Sequence, residues 1–360
     1  MSMSVRRLLG WLLVLLALAA GVAYLFRAPL AMALGERVVA QRMVADAVRD
    51  LPDGLHVGIC GAGSPFTDDK RSGPCTLVVA GKRMFVFDAG SGSARVIGKM
   101  GFNQGRIEAI FLTHFHSDHI DGLGELMLQR WVSVGNTAPV PVYGPPGVDA
   151  VVAGFRTAYL QDQHYRVAHH GTATVPATGF AGQALAFTVG ADGRVVVLKD
   201  ADLEISAFVV DHKPVHPAVG YRIVYKGRSL VLSGDTKKST AVQSEAAGVD
   251  VLVHEALSQP LVAVFRQGAV QAGRQNLVKI FDDILDYHTS PEEAAETARD
   301  AKARYLVLNH IVPLLTLPGL EKAFVGKAGE IFNGPLRVAT DGDFLSLPAD
   351  STDIGFTRRF

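Results

Sequence analysis

The chain has 360 residues, 48% of them hydrophobic and 19% charged, a balance that excludes a disordered or fibrous protein and leaves enough apolar side chains for one large core. Its 35 lysines and arginines offset 35 aspartates and glutamates, so the whole-chain field offers no general attraction to nucleic acid, which is not expected as a partner. Cys60 and Cys75 lie outside any CxxC pair and can make at most one disulfide; two buried thiols fit them equally well.

The first element in chain order is an apolar run from Leu8 to Phe26, preceded by Arg6-Arg7 and closed by Arg27. Its length, about 19 residues, is close to that required to span a bilayer. The N-terminal arginines favour keeping that end in the cytoplasm and sending the remaining chain outward. Ala17-Leu18-Ala19 and Ala31-Met32-Ala33 also fit a signal-peptidase site, so residues 1–28 read as a signal anchor or a signal peptide. The expected location is the periplasmic face of the inner membrane, or outside the cell after cleavage. An exported domain would place the two cysteines where a disulfide can persist.

Helical spacing from Pro29 to Asp50 predicts a connecting helix within a 29–54 segment, broken at Leu51-Pro52-Asp53-Gly54. Short β-rich runs follow, among them His56–Ile59, Thr76–Val79, Met84–Phe87, Ala109–Leu112, Val140–Tyr143 and Glu204–Val210. Others are Gly220–Tyr225, Ser229–Leu232, Val251–Val253 and Tyr305–Leu308. Strands interrupted by helices suit a two-sheet α/β sandwich formed by one domain over 55–360. Gly171 to Asp202 is the least regular stretch and reads as a loop or small insertion. Ser290-Pro291-Glu292-Glu293 supplies an N-cap, a proline at the first helical position and a capping glutamate, predicting a helix to about Ala303.

The chemistry concentrates in Thr113-His114-Phe115-His116-Ser117-Asp118-His119. In extended structure His114 and His116 project to one side, with Asp118 and His119 following at a turn. Imidazole and carboxylate are the expected ligands of an open catalytic zinc site. The preceding Ile110-Phe111-Leu112 reads as a buried strand, which places the polar cluster at a strand end. Tyr165, Arg166, His169 and His170 together offer an aromatic face, a cation and donors, candidates for binding an anionic substrate.

The HxHxDH run at His114 to His119 resembles the metallo-β-lactamase superfamily. Val210-Asp211-His212 before Gly220-Tyr221-Arg222-Ile223, Ser233-Gly234-Asp235-Thr236, His254-Glu255-Ala256, His288-Thr289 and Leu308-Asn309-His310 resemble its ribonuclease Z and arylsulfatase-like branch. Cys60-Gly61-Ala62-Gly63-Ser64-Pro65 and Phe87-Asp88-Ala89-Gly90 look like that branch's early segments. The resemblance covers roughly Leu55 to Pro348 and implies the αββα four-layer sandwich.

It also implies two zinc ions, one on His114, His116 and His212, the other on Asp118, His119 and His310, with Asp235 bridging both. A metal-bridging hydroxide would be the nucleophile. Asp118 would orient it, and His288 would stabilise developing charge or protonate the leaving group. Asp88 is expected to support the metal loop without binding metal; Glu255 either fixes a histidine tautomer or makes a salt bridge. Aspartate at position 235 differs from common β-lactamases, which resemble this scaffold but use cysteine there. Histidine at 116 differs from the diiron redox branch, whose pattern has glutamate.

The resulting expectation is a metal-dependent hydrolase of a small anionic ester, an aryl sulfate or phosphodiester, outside the cytoplasmic membrane. The alternative is a ribonuclease Z-like phosphodiesterase; lactone or thioester hydrolysis, and metal binding without catalysis, rank lower. A homodimer is compatible with the sequence.

Overall fold

The computed structural model describes residues 3–44 and 46–360; Met1, Ser2 and, within the connecting segment, Ala45 lie outside them. The chain divides into two compact units, Met1–Asp46 and Ala47–Phe360. The first contains helices Met3–Leu25 and Arg27–Val44. Within it, Val5–Leu25 has a mean hydropathy of 2.4 over 21 residues, long and apolar enough to cross a membrane by length and composition.

The second unit begins with the short helix Ala47–Asp50 and then builds two sheets. Strands β1 (Gly54–Gly61), β2 (Cys75–Ala80), β3 (Arg83–Phe87), β4 (Ile107–Phe111), β5 (Val140–Gly144) and β6 (Gly182–Ala186) enter the first sheet. The chain then crosses to the second through β7 (Arg194–Lys199), β8 (Leu203–Val209), β9 (Val219–Tyr225), β10 (Arg228–Leu232), β11 (Val251–Leu257), β12 (Tyr305–Val312) and β13 (Leu336–Val338). It returns with β14 (Asp343–Pro348) and β15 (Gly355–Arg358), giving the orders β15-β14-β1-β2-β3-β4-β5-β6 and β13-β12-β11-β10-β9-β8-β7. Two of these strands, β6 and β7, fall in the stretch expected to be irregular.

Alternation along the strands sorts side chains between layers. In and just after β4, Ala109 and Phe111 face the opposite sheet, where they meet Tyr221 and Ile223, whereas Ile110 and Leu112 face the helices Ser93–Lys99 and Leu123–Val132. On the far side, Val231, Leu252 and Leu306 pack against Ala294, Ala295 and Ala298 of the helix Pro291–Asp300. Helix, sheet, sheet and helix thus form the expected four layers. The helix at Pro291 starts with the anticipated capping box between Ser290 and Glu293.

Two features aim the strands at the site. Phe111 stacks between Phe87 (4.8 Å between ring centres) and Tyr143 (4.9 Å). Tyr221, fully buried, donates its hydroxyl to the Leu112 carbonyl at 2.7 Å, fixing the exit of β4 to the second sheet. Cys60 and Cys75 are bonded across the end of β1 and β2, with Cα atoms 4.9 Å apart.

Candidate metal centre

β3 through β6 run parallel, as do β10 through β13, and the carboxyl ends of such strands are where chain crossings leave room for a site. The Thr113–His119 loop leaves the end of β4. Asp88, just past β3 with a left-handed φ of 57°, clamps this loop. Its Oδ1 accepts the Thr113 amide at 2.8 Å, and its Oδ2 accepts the Thr113 hydroxyl and pairs with His119 Nδ1, each at 2.8 Å.

This clamp sets tautomers. With Nδ1 of His119 bonded to Asp88, its Nε2, buried and without a hydrogen-bond partner, is turned into the cluster. Thr113 Oγ1 gives its proton to Asp88 and therefore accepts from His114 Nδ1 at 3.0 Å, again freeing Nε2. His212, just past β8, donates Nδ1 to the Tyr287 carbonyl at 3.0 Å, with the same result. Such outer bonds fix ring orientation and raise ligand basicity.

The second sheet supplies the other members. Asp235 follows β10, and its Oδ2 lies 3.3 Å from His119 Nε2, 3.2 Å from His310 Nε2 and 3.9 Å from Nε2 of both His114 and His212. His310 occupies a bulge: Asn309 pairs with Glu255 and Ile311 with Ala256, so β12 carries one extra residue. That residue, His310, has φ 46°, and the bulge turns its ring out of the ladder towards Asp118 at 3.2 Å.

The converging atoms form three overlapping groups that could hold metal: His114, His116, His212 and Asp235; Asp118, His119 and His310; and Asp235, His288 and His310. The first two draw on both sheets. The electrostatics fit a cation. Burial presses the His114 imidazole well below its ordinary pKa and His212 down to about 4. Against the opposing effect of burial, Asp235 and Asp118 raise His310 to about 9, and Asp235, Asp88 and Asp118 hold His119 well above its usual range. His114 Nε2 also faces His116 Nδ1 at 3.0 Å. Buried carboxylates that draw protons onto some histidines, beside imidazoles that burial keeps neutral and whose ring nitrogens face one another, suit divalent metal with nitrogen and oxygen ligands.

His288 lies beside this cluster, its ring 5.3 Å from His212 and 5.4 Å from His310. Its Nδ1 meets Glu255 Oε1 at 2.9 Å. Thr113 and Thr236, which the sequence shows as members of motifs with no role of their own, and the Tyr287 carbonyl also position the cluster; a main-chain carbonyl leaves no residue-type signal. Tyr165, Arg166, His169 and His170 sit in the last turns of the helix Val148–His170. That helix begins against Phe115 at Gly147 and Val148, and 17 positions separate Val148 from Tyr165, about 25 Å along a helix. The structure does not bring these four residues to the histidine cluster.

The comparisons with known proteins agree with this geometry. Residues 83–311 match the family described as "Beta-lactamase superfamily domain". A protein of Mycolicibacterium paratuberculosis named Ribonuclease Z is 35% identical over 299 residues, 82% of this chain and 100% of that protein. A Mycobacterium bovis protein of the same name is 36% identical over 291 residues, 80% of this chain and 96% of its own. Among solved structures, human tRNase Z, short form, has a TM-score of 0.55 at 19% identity, covering 81% of this chain and 99% of that one. A diphosphatase from the PhnP family has a TM-score of 0.55 at 17% identity over 81% of this chain and 98% of that one.

The name carried by the sequence relatives overturns the expectation that nucleic acid is not a partner. The inference from charge failed because a whole-chain sum of zero averages over local surface and says nothing about contacts at one cleft. With this fold, motif order and likeness, the chain belongs to the metallo-β-lactamase superfamily, in its ribonuclease Z branch, and is a metal-dependent hydrolase.

Proposed function

We propose that the chain is a phosphodiesterase with two zinc ions, acting on RNA in the manner that its relatives' name denotes. The observation that carries this reading is the 35% identity, over the full length of a protein named Ribonuclease Z, together with two mixed histidine and aspartate groups that share one buried corner. His114, His116 and His212 would hold one ion and Asp118, His119 and His310 the other, with Asp235 between them. When bound, the ions supply Lewis acidity and lower the pKa of water at the centre.

The chain's own groups do the remaining work. Asp118, held by His310 at 3.2 Å, orients the attacking water and accepts its proton. Burial, then the charge of Asp235, pushes the Glu255 carboxyl well above its ordinary range, and burial brings His288 down to about 4. Glu255 Oε1 and His288 Nδ1 share one hydrogen bond at 2.9 Å, which fixes the orientation of the imidazole. Held so, His288 can stabilise charge on the phosphoryl group or protonate the departing oxygen.

The same reading includes position in the cell. Residues 1–28 act as an anchor or signal and 29–54 as a connector, with the hydrolase domain over 55–360 on the outer side of the membrane. The apolar helix and the Cys60–Cys75 bond support that placement, since such bonds persist in oxidising compartments.

The test is hydrolysis by the zinc-loaded full chain in phospholipid nanodiscs, with an RNA oligonucleotide, bis(p-nitrophenyl) phosphate and p-nitrophenyl sulfate compared. Metal-dependent cleavage of both diesters is expected. Cleavage of the sulfate alone would overturn the reading.

A further inference from the structure

Beside the histidine cluster lies a cavity of about 350 Å³, and its two walls differ in chemistry. One wall carries His116, Asp118, Asp235, His288 and His310; the other is Phe66, Leu277, Ile280, Ile284, Tyr287 and Val312. No lysine or arginine is among the described residues that line it. Half of the second wall, Leu277, Ile280 and Ile284, comes from the second helix, and its end, of a hairpin formed by Gln259–Gln271 and Gln275–Asp283 between Glu255 and His288 in the chain.

The hairpin's sequence explains the wall. Leu277, Ile280, Phe281 and Ile284 recur at helical spacing on one stripe. Phe281 and Ile284 are buried with Leu257 and Val312, and Phe281 stacks on Phe66 at 6.0 Å, which fixes the helix to the body. On its polar side, Arg266 of the first helix pairs with Asp282 of the second. Ile280 remains 47% exposed although it faces the cavity, so the core does not account for it. Covering such a side chain with an apolar group is favourable, at about 25 cal/mol per Å².

We infer that this cavity is a subsite for an uncharged aromatic ring carried by the ester being cleaved, held between the aliphatic wall, Phe66 and Tyr287 while the phosphate meets the histidine cluster. The inference rests on the phosphodiesterase reading above. Size permits it, because an apolar cavity of about 150 Å³ accepts one benzene, leaving room for the ester. Charge complementarity favours it too: a wall without cations recognises a ring by contact and stacking. The ring has two sources, the base next to the scissile phosphate of an RNA or the aryl group of a small diester.

The test is calorimetric binding to the zinc-loaded full chain in nanodiscs, with phenyl phosphate and methyl phosphate as probes sharing one headgroup. Phenyl phosphate is expected to bind about tenfold more tightly. Ile280→Gln and Leu277→Gln should each narrow the gap while leaving methyl phosphate binding unchanged, and Ile280→Gln, at a side chain 47% exposed, should also leave the denaturation temperature unchanged. Equal binding of the two probes to the unmodified chain overturns the inference, as does a preference that survives both substitutions. Adenosine 5′-monophosphate against ribose 5-phosphate separates the sources. A preference extending to that pair identifies a base subsite, and one confined to phenyl phosphate identifies an aryl subsite. Turnover of bis(p-nitrophenyl) phosphate is followed in parallel. Its absence with the ring preference intact would sink the phosphodiesterase reading and leave the subsite standing.

Discussion

Glu255 Oε1 meets His288 Nδ1 at 2.9 Å inside the protein, and the same oxygen accepts the Thr236 amide at 3.0 Å. The pair joins β11 to the segment leading into the helix Pro291–Asp300, so the ring of His288 has its orientation set from behind. Glu255→Gln keeps a hydrogen-bonding partner at Nδ1 and should retain turnover within about tenfold, whereas Glu255→Ala should lose about 10–100-fold in kcat with KM little changed. Steady-state kinetics on bis(p-nitrophenyl) phosphate distinguish the two variants. Equal losses would mean that the ring of His288 is not held by the side chain of Glu255.

Asp118 lies in a metal-facing group and, with His116, Asp235 and His310, also lines the cavity beside the histidine cluster. Asp118→Ala is expected to lower kcat by about 10²–10⁴-fold, with a denaturation temperature close to that of the unmodified chain. Full activity in this variant would eliminate the proposed water-orienting step.

Metal content gives an independent readout. Elemental analysis after dialysis should find two zinc ions per chain, and a chelator should abolish turnover and lower the denaturation temperature, since binding to the folded state alone stabilises it. Asp235→Ala should reduce the affinity of both ions, because its Oδ2 lies within 3.9 Å of four imidazoles. One ion per chain in the unmodified protein would contradict the two-ion arrangement.

His254, fully buried and bonded through Nδ1 to the Glu255 carbonyl at 2.8 Å, is lowered by burial from 6.5 to about 4. The unfolded chain therefore binds this proton more readily than the folded one between those values. Stability from this residue is fully present above pH 6.5 and falls as pH drops towards about 4, by on the order of a few kcal/mol. Comparing thermal unfolding of the unmodified chain with His254→Gln at pH 7.5 and 5 isolates the effect, since the other histidines titrate in both. An unchanged difference between the two chains across this range would refute it.

The Cys60–Cys75 bond closes a loop with a sequence separation of 15, for which loss costs about 3 kcal/mol in the chain-entropy account. Reduction or Cys75→Ser should lower the denaturation temperature, and thiol alkylation of intact cells should find both cysteines protected. Free thiols in cells would place the domain in a reducing compartment.

Legibility in the sequence followed how local each signal is. His114 to His119 are neighbours along the chain, so their spacing alone announces a metal loop. His212, Asp235 and His310 come from separate strands, and only their ordered likeness to a family linked them. Strands β6 and β7 were missed because they are edge strands, one in each sheet, without a continuous buried face. The helix Val148–His170 was missed for a related reason: only Val148 and Val152 are buried, so it lacks a long apolar stripe. β14 is well buried, yet its partner is β1, with Leu55 opposite Leu347, and no local pattern encodes a pairing at that distance. The apolar wall of the cavity beside the histidine cluster was legible in principle from the stripe that Leu277, Ile280 and Ile284 share with Phe281, but that spacing alone describes any amphipathic helix.

Two of the three metal-facing groups take residues from both sheets. A chain that has formed one sheet but not docked the other holds at most a fragment of either group. Synthesis therefore yields no complete site until the sandwich has closed, and a metal ion captured at that moment would act as a rivet across the seam. The catalytic apparatus doubles as an assembly check: activity appears only in molecules whose two halves have met in register.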